Sequence, residues 1–360
     1  MKTYYFSIVL LLTMFGCAKT DSKINTAEGE ELFITKAPGK ACRTYEVFQE
    51  QLKADPTLKD RMNDIEAFTN RYIQNPAAYR KVINGVLELP VVVNVLYNKP
   101  EENISDRQIQ SQLDVLNEDF GATNKDLFTT STYNSVKSGD LKIRFILKQV
   151  NRKYTTVTAF STNNAMKSAS RGGIDATSPE TTMNMWVCNL GGGILGYAQF
   201  PGGNKATDGV VINTLAFGRG AAYNLYTDYN LGRTATHEVG HYFNLRHIWG
   251  DRQCGNDYVD DTPLHYTYNF GCPPANKISS CDGGIEMTMN YIYIQTMPVC
   301  ICFRRDKPCV YRQRMQLAAR ELHLRIKFCW YIKKCPDSNR AFSFIHYLIL
   351  IDHICSKIRT

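Results

Sequence analysis

The sequence contains few histidines and no long apolar run. Only 7 of its 360 residues are histidine, and three of these lie between residues 237 and 247. No apolar stretch reaches the roughly 20 residues that span a bilayer, and the chain contains no internal repeat, which excludes a repeat architecture. Charged residues make up 21% of the chain and hydrophobic residues 44%. This balance indicates a folded globular protein and excludes a disordered one.

The N-terminus has the composition of an export signal. Residues 1–17 read MKTYYFSIVLLLTMFGC, with one lysine, a short apolar run and then small residues, which is typical of a secretory signal peptide. The Gly16–Cys17 junction resembles a lipoprotein cleavage site, at which Cys17 would carry a lipid anchor. Ordinary cleavage nearby, with release of the protein, is the alternative. Both predict a location outside the cytoplasm, where disulfides persist.

The excess of positive charge lies in the C-terminal part of the chain. The formal net charge is +8, and residues 293–360 contain 13 Lys and Arg against 4 Asp and Glu. The same segment holds 6 of the 12 cysteines. Since residues 1–292 are close to neutral, the sequence predicts no nucleic-acid partner for the body of the protein.

Short strands and amphipathic helices are mixed along the chain. Apolar residues recur every three or four positions between residues 45 and 72, which predicts helices there. Valine-rich or alternating segments predict strands. The predicted strands are 87–98, 141–150, 183–190 and 209–215, and the later predicted helices are 106–120 and 231–245. This mixture predicts an α+β fold for a domain spanning residues 86–292.

Three of the histidines have the spacing of metal ligands. His237 and His241 lie four residues apart in a predicted helix, so their imidazoles share one face, one turn apart. Glu238 is then placed as a general base, as in the HExxH pattern of zinc peptidases. His247 supplies the third protein ligand that catalytic zinc prefers, which leaves one position open. Asn244 stands where the chain must turn back, and asparagine tolerates the left-handed backbone that such a turn needs.

Two alternatives remain for this cluster at the level of the sequence. The three histidines could be structural residues that hold no metal. The chain could also be a zinc peptidase of another clan, in which a distant glutamate replaces His247 as the third ligand.

In the order of its motifs the sequence resembles the metzincins, and within them the pappalysin group of secreted bacterial peptidases. The segments HEVGHYFNLRHIWGD, VDDTP, NFGC and MNY carry the resemblance, which runs from about Cys42 to Tyr291. The chain departs from the usual pattern at Asn244, where the family has glycine. The resemblance implies a metzincin-like catalytic domain with a mixed twisted sheet, an active-site helix and a smaller irregular lower subdomain.

The resemblance also implies roles for residues around the zinc. Met289 would lie beneath the metal in the methionine turn, and Tyr291 would stabilise the tetrahedral intermediate of peptide hydrolysis. Gly196, Tyr197 and Ala198 would form the upper rim of the cleft, where an extended substrate adds as a further strand. A core methionine and an ordinary edge strand are the alternatives.

The segment between the zinc ligands and Met289 is implied to be stapled by two disulfides. One would join Cys254 to Cys281, and the other would join Cys272 to a cysteine near residue 300, which is Cys300 here. Spacing alone does not fix this connectivity.

An acidic loop in the same segment offers oxygen ligands of the kind that calcium prefers. The resemblance supports one or two calcium ions at Asp257, Asp260 and Thr262. A solvated acidic loop without a metal is the alternative.

Cys42 precedes the predicted catalytic domain in the segment GKACRTYEV. A thiolate is a strong zinc ligand that could fill the open position. Pappalysin-like zymogens have a similar cysteine beside basic residues, followed by a helical pro-segment. The sequence therefore predicts a pro-segment, 18–85, whose Cys42 blocks the zinc until an activating protease removes it. A free or disulfide-bonded cysteine is the alternative.

The resemblance stops abruptly after residue 292. If each codon behind residues 294–303 is read from its third base, the genetic code permits YTNDACMYLF, which is how the family continues. We therefore predict that a frameshift near residues 291–294 makes 293–360 a non-native translation. A genuine divergent tail, in which RQRMQLAAREL forms a helix, is the alternative.

These features together predict a secreted, zinc-dependent metalloendopeptidase that is made as a zymogen and cleaves proteins or peptides. The alternative is a surface lipoprotein that binds zinc or peptide without cleaving it. The intact Glu238 argues against this alternative, and the altered C-terminus argues for it.

Resequencing the gene across codons 285–320 tests the predicted frameshift. We expect one base to be gained or lost relative to this reading, after which the protein continues with Asp-Ala-Cys-Met and should be an active peptidase. An unchanged reading would contradict the frameshift. The domain would then end in a foreign tail, and we would expect zinc ligands with little or no activity.

Overall fold

The computed structural model describes residues 42–74, 86–125, 139–259, 262–269, 274, 276–288, 301–304 and 307–310. All of these lie in the second of two units of the chain, Met1–Phe33 and Ile34–Thr360. The described α-helices are α1 (Thr44–Ala54), α2 (Leu58–Gln74), α3 (Asp106–Phe120) and α4 (Arg233–Tyr242). Among these described helices, none combines the length and the apolar character needed to cross a membrane.

A mixed five-stranded sheet forms the centre of the fold. Its strands are β1 (Leu87–Tyr97), β2 (Ile143–Tyr154), β3 (Met183–Cys188), β4 (Gly196–Ala198) and β5 (Val210–Asn213). Their order across the sheet is β2-β1-β3-β5-β4. All neighbours pair in parallel except β4, which runs antiparallel to β5 at the edge. The predicted α+β class with a mixed sheet is confirmed.

The apolar core explains why the inner strands carry continuous hydrophobic runs. Residues 91–96 of β1 and all six residues of β3 are buried, as expected for parallel strands that are covered on both faces. One face packs against α3, which buries Ile109, Leu113, Leu116 and Phe120. The side chain of Ser105 caps this helix by accepting a hydrogen bond from the backbone N–H of Gln108, a common way to satisfy a helix N-terminus.

Helix α4 is fixed to α3 by a buried ion pair. The Arg233 guanidinium donates to the Asp119 carboxylate, and the Thr236 hydroxyl donates to the other carboxylate oxygen over 2.7 Å. The Asp119 side chain is fully buried. Removing one partner of such a pair typically costs about 3–5 kcal/mol, because the other charge is left buried and uncompensated. The pair therefore sets the position of the helix that carries the histidines.

The chain after α4 has little regular structure. In the described parts of residues 243–288 the one β-type contact is a bridge between Ile278 and Ile285. A disulfide joins Cys254 to Cys281 across this region. The irregular lower subdomain expected from the sequence is present.

Most predicted elements agree with the structure within a few residues. The largest difference is β2, which was expected at 141–150 and extends to Tyr154. The strand is longer because it pairs with β1 along that strand's whole length, up to Tyr97 opposite Tyr154. Within the predicted non-native tail, β6 (Ile301–Arg304) and β7 (Lys307–Val310) form an antiparallel hairpin.

Candidate metal centre

Helix α4 brings the first two histidines together. His237 and His241 are one turn apart, and their Nε2 atoms are separated by 3.0 Å. Both residues are buried, with 6% and 0% of their surface exposed. The helix positions both imidazoles on one side, as the four-residue spacing predicts.

Asn244 turns the chain back towards the helix. Its φ angle is 75°, in the left-handed region that glycine usually occupies and that asparagine tolerates best among other residues. The backbone N–H of Asn244 donates to the His241 carbonyl, and that of Leu245 donates to the Gly240 carbonyl, which is a typical way to end a helix. This turn places His247 Nε2 3.2 Å from His241 Nε2.

Cys42 completes the cluster from the other end of the chain. Its Sγ atom lies 3.5 Å from His241 Nε2. The donor atoms of Cys42, His237, His241 and His247 all lie within 4.8 Å of one another. Among the described residues this is the one group of three or more donors that could hold a metal ion.

The four donors fit zinc. Tetrahedral zinc binds nitrogen at about 2.0–2.1 Å and sulfur at about 2.3 Å, which separates neighbouring donors by about 3.3–3.6 Å. The observed separations of 3.0, 3.2 and 3.5 Å around His241 are close to these values. Three imidazoles and a thiolate are also the kinds of ligand that zinc prefers. Because His247 lies in the cluster, no distant glutamate is needed as a third ligand.

Two of the imidazoles are oriented by hydrogen bonds on the side away from the cluster. His241 Nδ1 donates to the Leu245 carbonyl over 2.7 Å, and His247 Nδ1 donates to Asp251 Oδ1 over 2.6 Å. Because these oxygens can only accept, each Nδ1 carries the proton and each Nε2 presents its lone pair to the centre. Trp249 stacks on the His247 ring at 4.2 Å. The sequence analysis missed Asp251, although its position four residues after His247 was a usable signal.

The neutral state of the ligands is reinforced by their surroundings. Burial, followed by the neighbouring histidines, lowers the pKa of His241 well below its ordinary value. Burial and the nearby Glu238 raise the pKa of the Cys42 thiol well above its ordinary value. Without a cation, burial therefore favours a neutral His241 imidazole and a neutral Cys42 thiol. A divalent cation would favour the thiolate, because metal binding displaces the thiol proton.

Glu238 is held by the chain segment that carries Cys42. The Thr44 hydroxyl donates to Glu238 Oε2 over 2.9 Å, and Cys42 Sγ lies 3.7 Å from the same oxygen. Burial raises the pKa of Glu238 to about 8, and the hydrogen bonds from Thr44 and Cys42 oppose this rise. The role of Thr44 was not predicted, because it depends on contact between residues that are 194 positions apart.

The edge strand β4 lies beside this carboxylate. A side chain at Gly196 would meet Glu238 Cγ at 2.9 Å and the Val211 carbonyl oxygen at 2.8 Å, so only glycine fits there. The Tyr197 side chain points away into the core, where its hydroxyl donates to Asn164 Oδ1 over 3.0 Å. Gly196 and Ala198 therefore contribute backbone groups to the site, and Tyr197 fixes the strand from behind.

Residues 42–44, at the start of α1, occupy the free edge of β4. The Arg43 N–H donates to the Gly196 carbonyl over 3.2 Å, and the Ala198 N–H donates to the Thr44 hydroxyl over 2.8 Å. Cys42 forms a parallel bridge with Gly196. Residues 42–44 thus use the backbone groups that an added strand would need.

The structure describes only some of the remaining predicted site residues. In the acidic loop the Thr262 hydroxyl donates to Asp257 Oδ2 over 2.8 Å, and the Val259 N–H donates to Asp257 Oδ1 over 3.1 Å. A calcium ion at this loop stays a prediction. The structure pairs Cys254 with Cys281. The predicted site residues outside the described residues are Cys17, Asp260, Cys272, Met289, Tyr291 and Cys300.

Comparison with known proteins assigns the family. Residues 67–298 match the family model described as Reprolysin_5, metallo-peptidase family M12. The chain belongs to metallo-peptidase family M12. The family match begins within the predicted pro-segment and includes all three histidines and Glu238.

Two curated relatives of this chain are extracellular metalloproteases of Arthroderma species. An extracellular metalloprotease of Arthroderma gypseum is 34% identical over 200 residues, which cover 52% of this chain and 59% of the relative. An extracellular metalloprotease of Arthroderma benhamiae is 31% identical over 213 residues, which cover 55% of this chain and 62% of the relative. The chain thus spans about six tenths of the length of these relatives.

Solved structures of mirolysin are similar to this chain. Mature mirolysin of Tannerella forsythia, in complex with a cleaved peptide, is 37% identical with a TM-score of 0.59, over 68% of this chain and 91% of that one. A promirolysin mutant from the same organism is 33% identical with a TM-score of 0.62, over 82% of this chain and 99% of that one. The metzincin resemblance of the pappalysin type is confirmed.

Proposed function

We propose that this protein is an extracellular zinc metalloendopeptidase that is made as a latent precursor. The observation that carries the proposal is the cluster of three imidazole Nε2 atoms beside the Glu238 carboxylate, with an edge strand next to both. The names of the curated relatives support an extracellular protease. The cleaved peptide in the mirolysin complex supports a protein or peptide substrate.

The chain's own residues divide the work of peptide hydrolysis. His237, His241 and His247 would hold the zinc, which when bound supplies the Lewis acidity that polarises the scissile carbonyl and activates water. Glu238 would take the proton of the attacking water and return it to the leaving amine. The Gly196 carbonyl and the Ala198 N–H would hold the substrate backbone as an added strand.

Several parts of this proposal concern residues outside the described ones. Tyr291 would stabilise the charge that develops on the carbonyl oxygen, and Met289 would support the zinc site from below. Residues 1–17 would direct export, either with a lipid anchor on Cys17 or with ordinary cleavage nearby and release of the protein. Calcium at the acidic loop and the pairing of Cys272 with a cysteine near residue 300 belong to the same proposal.

The proposed domain boundaries are those predicted from the sequence. Residues 18–85 would form the pro-segment, 86–292 the catalytic domain and 293–360 the non-native tail. The contacts of Cys42, Arg43 and Thr44 with β4 and the metal centre support assigning this part of the chain to the pro-segment. An activating protease would cut the chain between α2 and β1.

Latency would come from residues 42–44. Cys42 lies where it can fill the fourth zinc position, and Thr44 donates a hydrogen bond to Glu238. The same segment occupies the β4 groups that a substrate needs. Contacts further along the pro-segment support it, since Arg61 donates to the Gly202 carbonyl over 2.7 Å and Asn244 donates to Glu66 over 2.8 Å.

Substitution of the proposed general base tests the activity. After proteolytic removal of the pro-segment, we expect Glu238→Gln to lower kcat for protein and peptide cleavage by about 10²–10⁴-fold, because general acid–base catalysis contributes that much. Zinc content measured by elemental analysis should stay near one per chain, whereas His247→Ala should lower it. The chain used should carry the reading frame that resequencing establishes. A Glu238→Gln variant as active as the unsubstituted protein would contradict the proposal.

Substitution of the proposed blocking thiol tests latency. In the uncleaved chain we expect Cys42→Ala to raise peptidase activity by roughly tenfold or more, because the fourth zinc position is freed. Cys188→Ala is the matched control, since Cys188 is also a buried free cysteine but lies on β3, in the core. Activity is measured with a quenched fluorescent peptide, and gels verify that the chain stays intact.

Thr44 could keep the Cys42→Ala protein latent by continuing to bind Glu238. The double variant Cys42→Ala, Thr44→Val removes both contacts. If this double variant remains as inactive as the unsubstituted precursor, residues 42–44 are not the latch.

A further inference from the structure

We propose that Phe200 and Arg246 form a subsite for an aromatic side chain of the substrate, which Phe48 of the pro-segment fills in the latent protein. The inference rests on the proposed function, because it concerns the cleft that opens when the pro-segment leaves. The subsite lies just beyond the end of β4, next to the metal centre.

Phe48 sits on Phe200 in the geometry of a bound aromatic ligand. Their ring centroids are 5.3 Å apart with the rings at 77°, an edge-to-face arrangement that aromatic pairs favour. Both residues are buried, with 6% and 4% of their surface exposed. The centroid of the Phe200 ring in turn lies 5.6 Å from that of the His241 ring, with the two rings at 70°. Phe200 therefore contacts both the Phe48 ring and the proposed zinc ligand His241.

Arg246 makes the subsite selective for aromatic rings. Its guanidinium carbon lies 5.7 Å from the Phe48 ring, 5.8 Å from the Phe200 ring and 4.7 Å from the Tyr258 ring. In the described parts of the chain no carboxylate forms an ion pair with Arg246. Ring faces therefore supply the favourable electrostatic contacts of this cation.

Removal of the pro-segment would uncover this site. Phe200 belongs to a small apolar cluster whose other buried members, Phe48, Leu58 and Met62, all lie on α1 and α2. When α1 and α2 are removed with the pro-segment, the Phe200 ring becomes exposed. It then lies beside the Arg246 guanidinium, which has lost its contact with the Phe48 ring. An incoming aromatic side chain restores both contacts. An aliphatic side chain restores only the apolar contact with Phe200. A carboxylate would pair with Arg246 but would lie against the apolar ring of Phe200.

An extended substrate would pass directly over this site. It would use the Gly196 carbonyl and the Ala198 N–H, which residues 42–44 now occupy. Phe200 follows Ala198 by two positions. Because an extended chain advances about 3.3 Å per residue, the side chain over Phe200 belongs to a residue a few positions from the cleaved bond.

Quenched fluorescent peptides that differ at one position test the subsite. The position is scanned along both sides of the cleaved bond, with Phe, Leu, Glu or Ala at the scanned residue. With the activated protein we expect one position at which kcat/KM for Phe exceeds that for Ala by about tenfold. Phe200→Ala should bring this ratio close to one, and Arg246→Gln should lower it in part.

Because the same variant cleaves both peptides at the same site, the ratio of kcat/KM for the Phe and Ala peptides does not change when a substitution lowers activity in general. Tyr154→Ala is the matched aromatic control, since Tyr154 is exposed on β2 at the opposite edge of the sheet, and it should leave the ratio unchanged. An equal Phe-to-Ala ratio in the unsubstituted protein and in Phe200→Ala would overturn the subsite. A preference for Glu over Phe would overturn it as well.

A binding measurement separates failure of the subsite from failure of the proposed function. If the activated protein cleaves no peptide, the proposed function fails. Fluorescence anisotropy with the activated Glu238→Ala variant then compares the Phe and Ala peptides without turnover. Tighter binding of the Phe peptide that is lost in the Glu238→Ala, Phe200→Ala double variant supports the subsite. Equal binding of the two peptides overturns it.

Discussion

Convergence of three imidazoles and one thiol on a single point is the constraint on which the rest of this structure depends. Their donor atoms lie within 4.8 Å of one another and all four residues are buried. Burying so many polar atoms together is unfavourable unless something satisfies them. A divalent cation satisfies all of them at once. The surrounding elements hold the four donors in place from three separate parts of the chain.

Each of these parts is fixed by its own contact. The buried Arg233–Asp119 pair anchors the helix that carries His237 and His241. The left-handed backbone at Asn244 returns the chain so that His247 reaches the same point. The bridge between Cys42 and Gly196 brings in the thiol. Under the proposed function, latency and catalysis would compete for one place, because the segment that delivers the thiol also occupies the strand edge that a substrate would use.

The sequence was sufficient for the parts of the site that follow from local spacing. The helical face shared by His237 and His241, and the turn at Asn244 that precedes His247, follow from helix geometry and backbone preference. The valine-rich β1 and the amphipathic α3 followed from their periodicity. The position of Cys42 at the cluster was predicted only through the family resemblance, since nothing local links residue 42 to residue 241.

Contacts between distant segments could not be predicted in this way. Thr44 binds Glu238 across 194 positions, and Phe48 meets Phe200 through the docking of α1 on the edge of the sheet. The periodicity of apolar residues does not predict such long-range contacts, because they depend on how whole helices and strands pack against each other. The length of β2 was underestimated for the same reason, since its polar end is held by pairing with β1 rather than by its own pattern.

X-ray absorption at the zinc edge of the uncleaved, zinc-loaded chain tests the central claim most directly. The account predicts a shell of three nitrogens at about 2.0–2.1 Å and one sulfur at about 2.3 Å, with the sulfur lost in Cys42→Ala. A shell of nitrogen and oxygen alone in the unsubstituted chain would contradict the thiol latch. A shell of several sulfurs would place the zinc among other cysteines and contradict the metal centre itself.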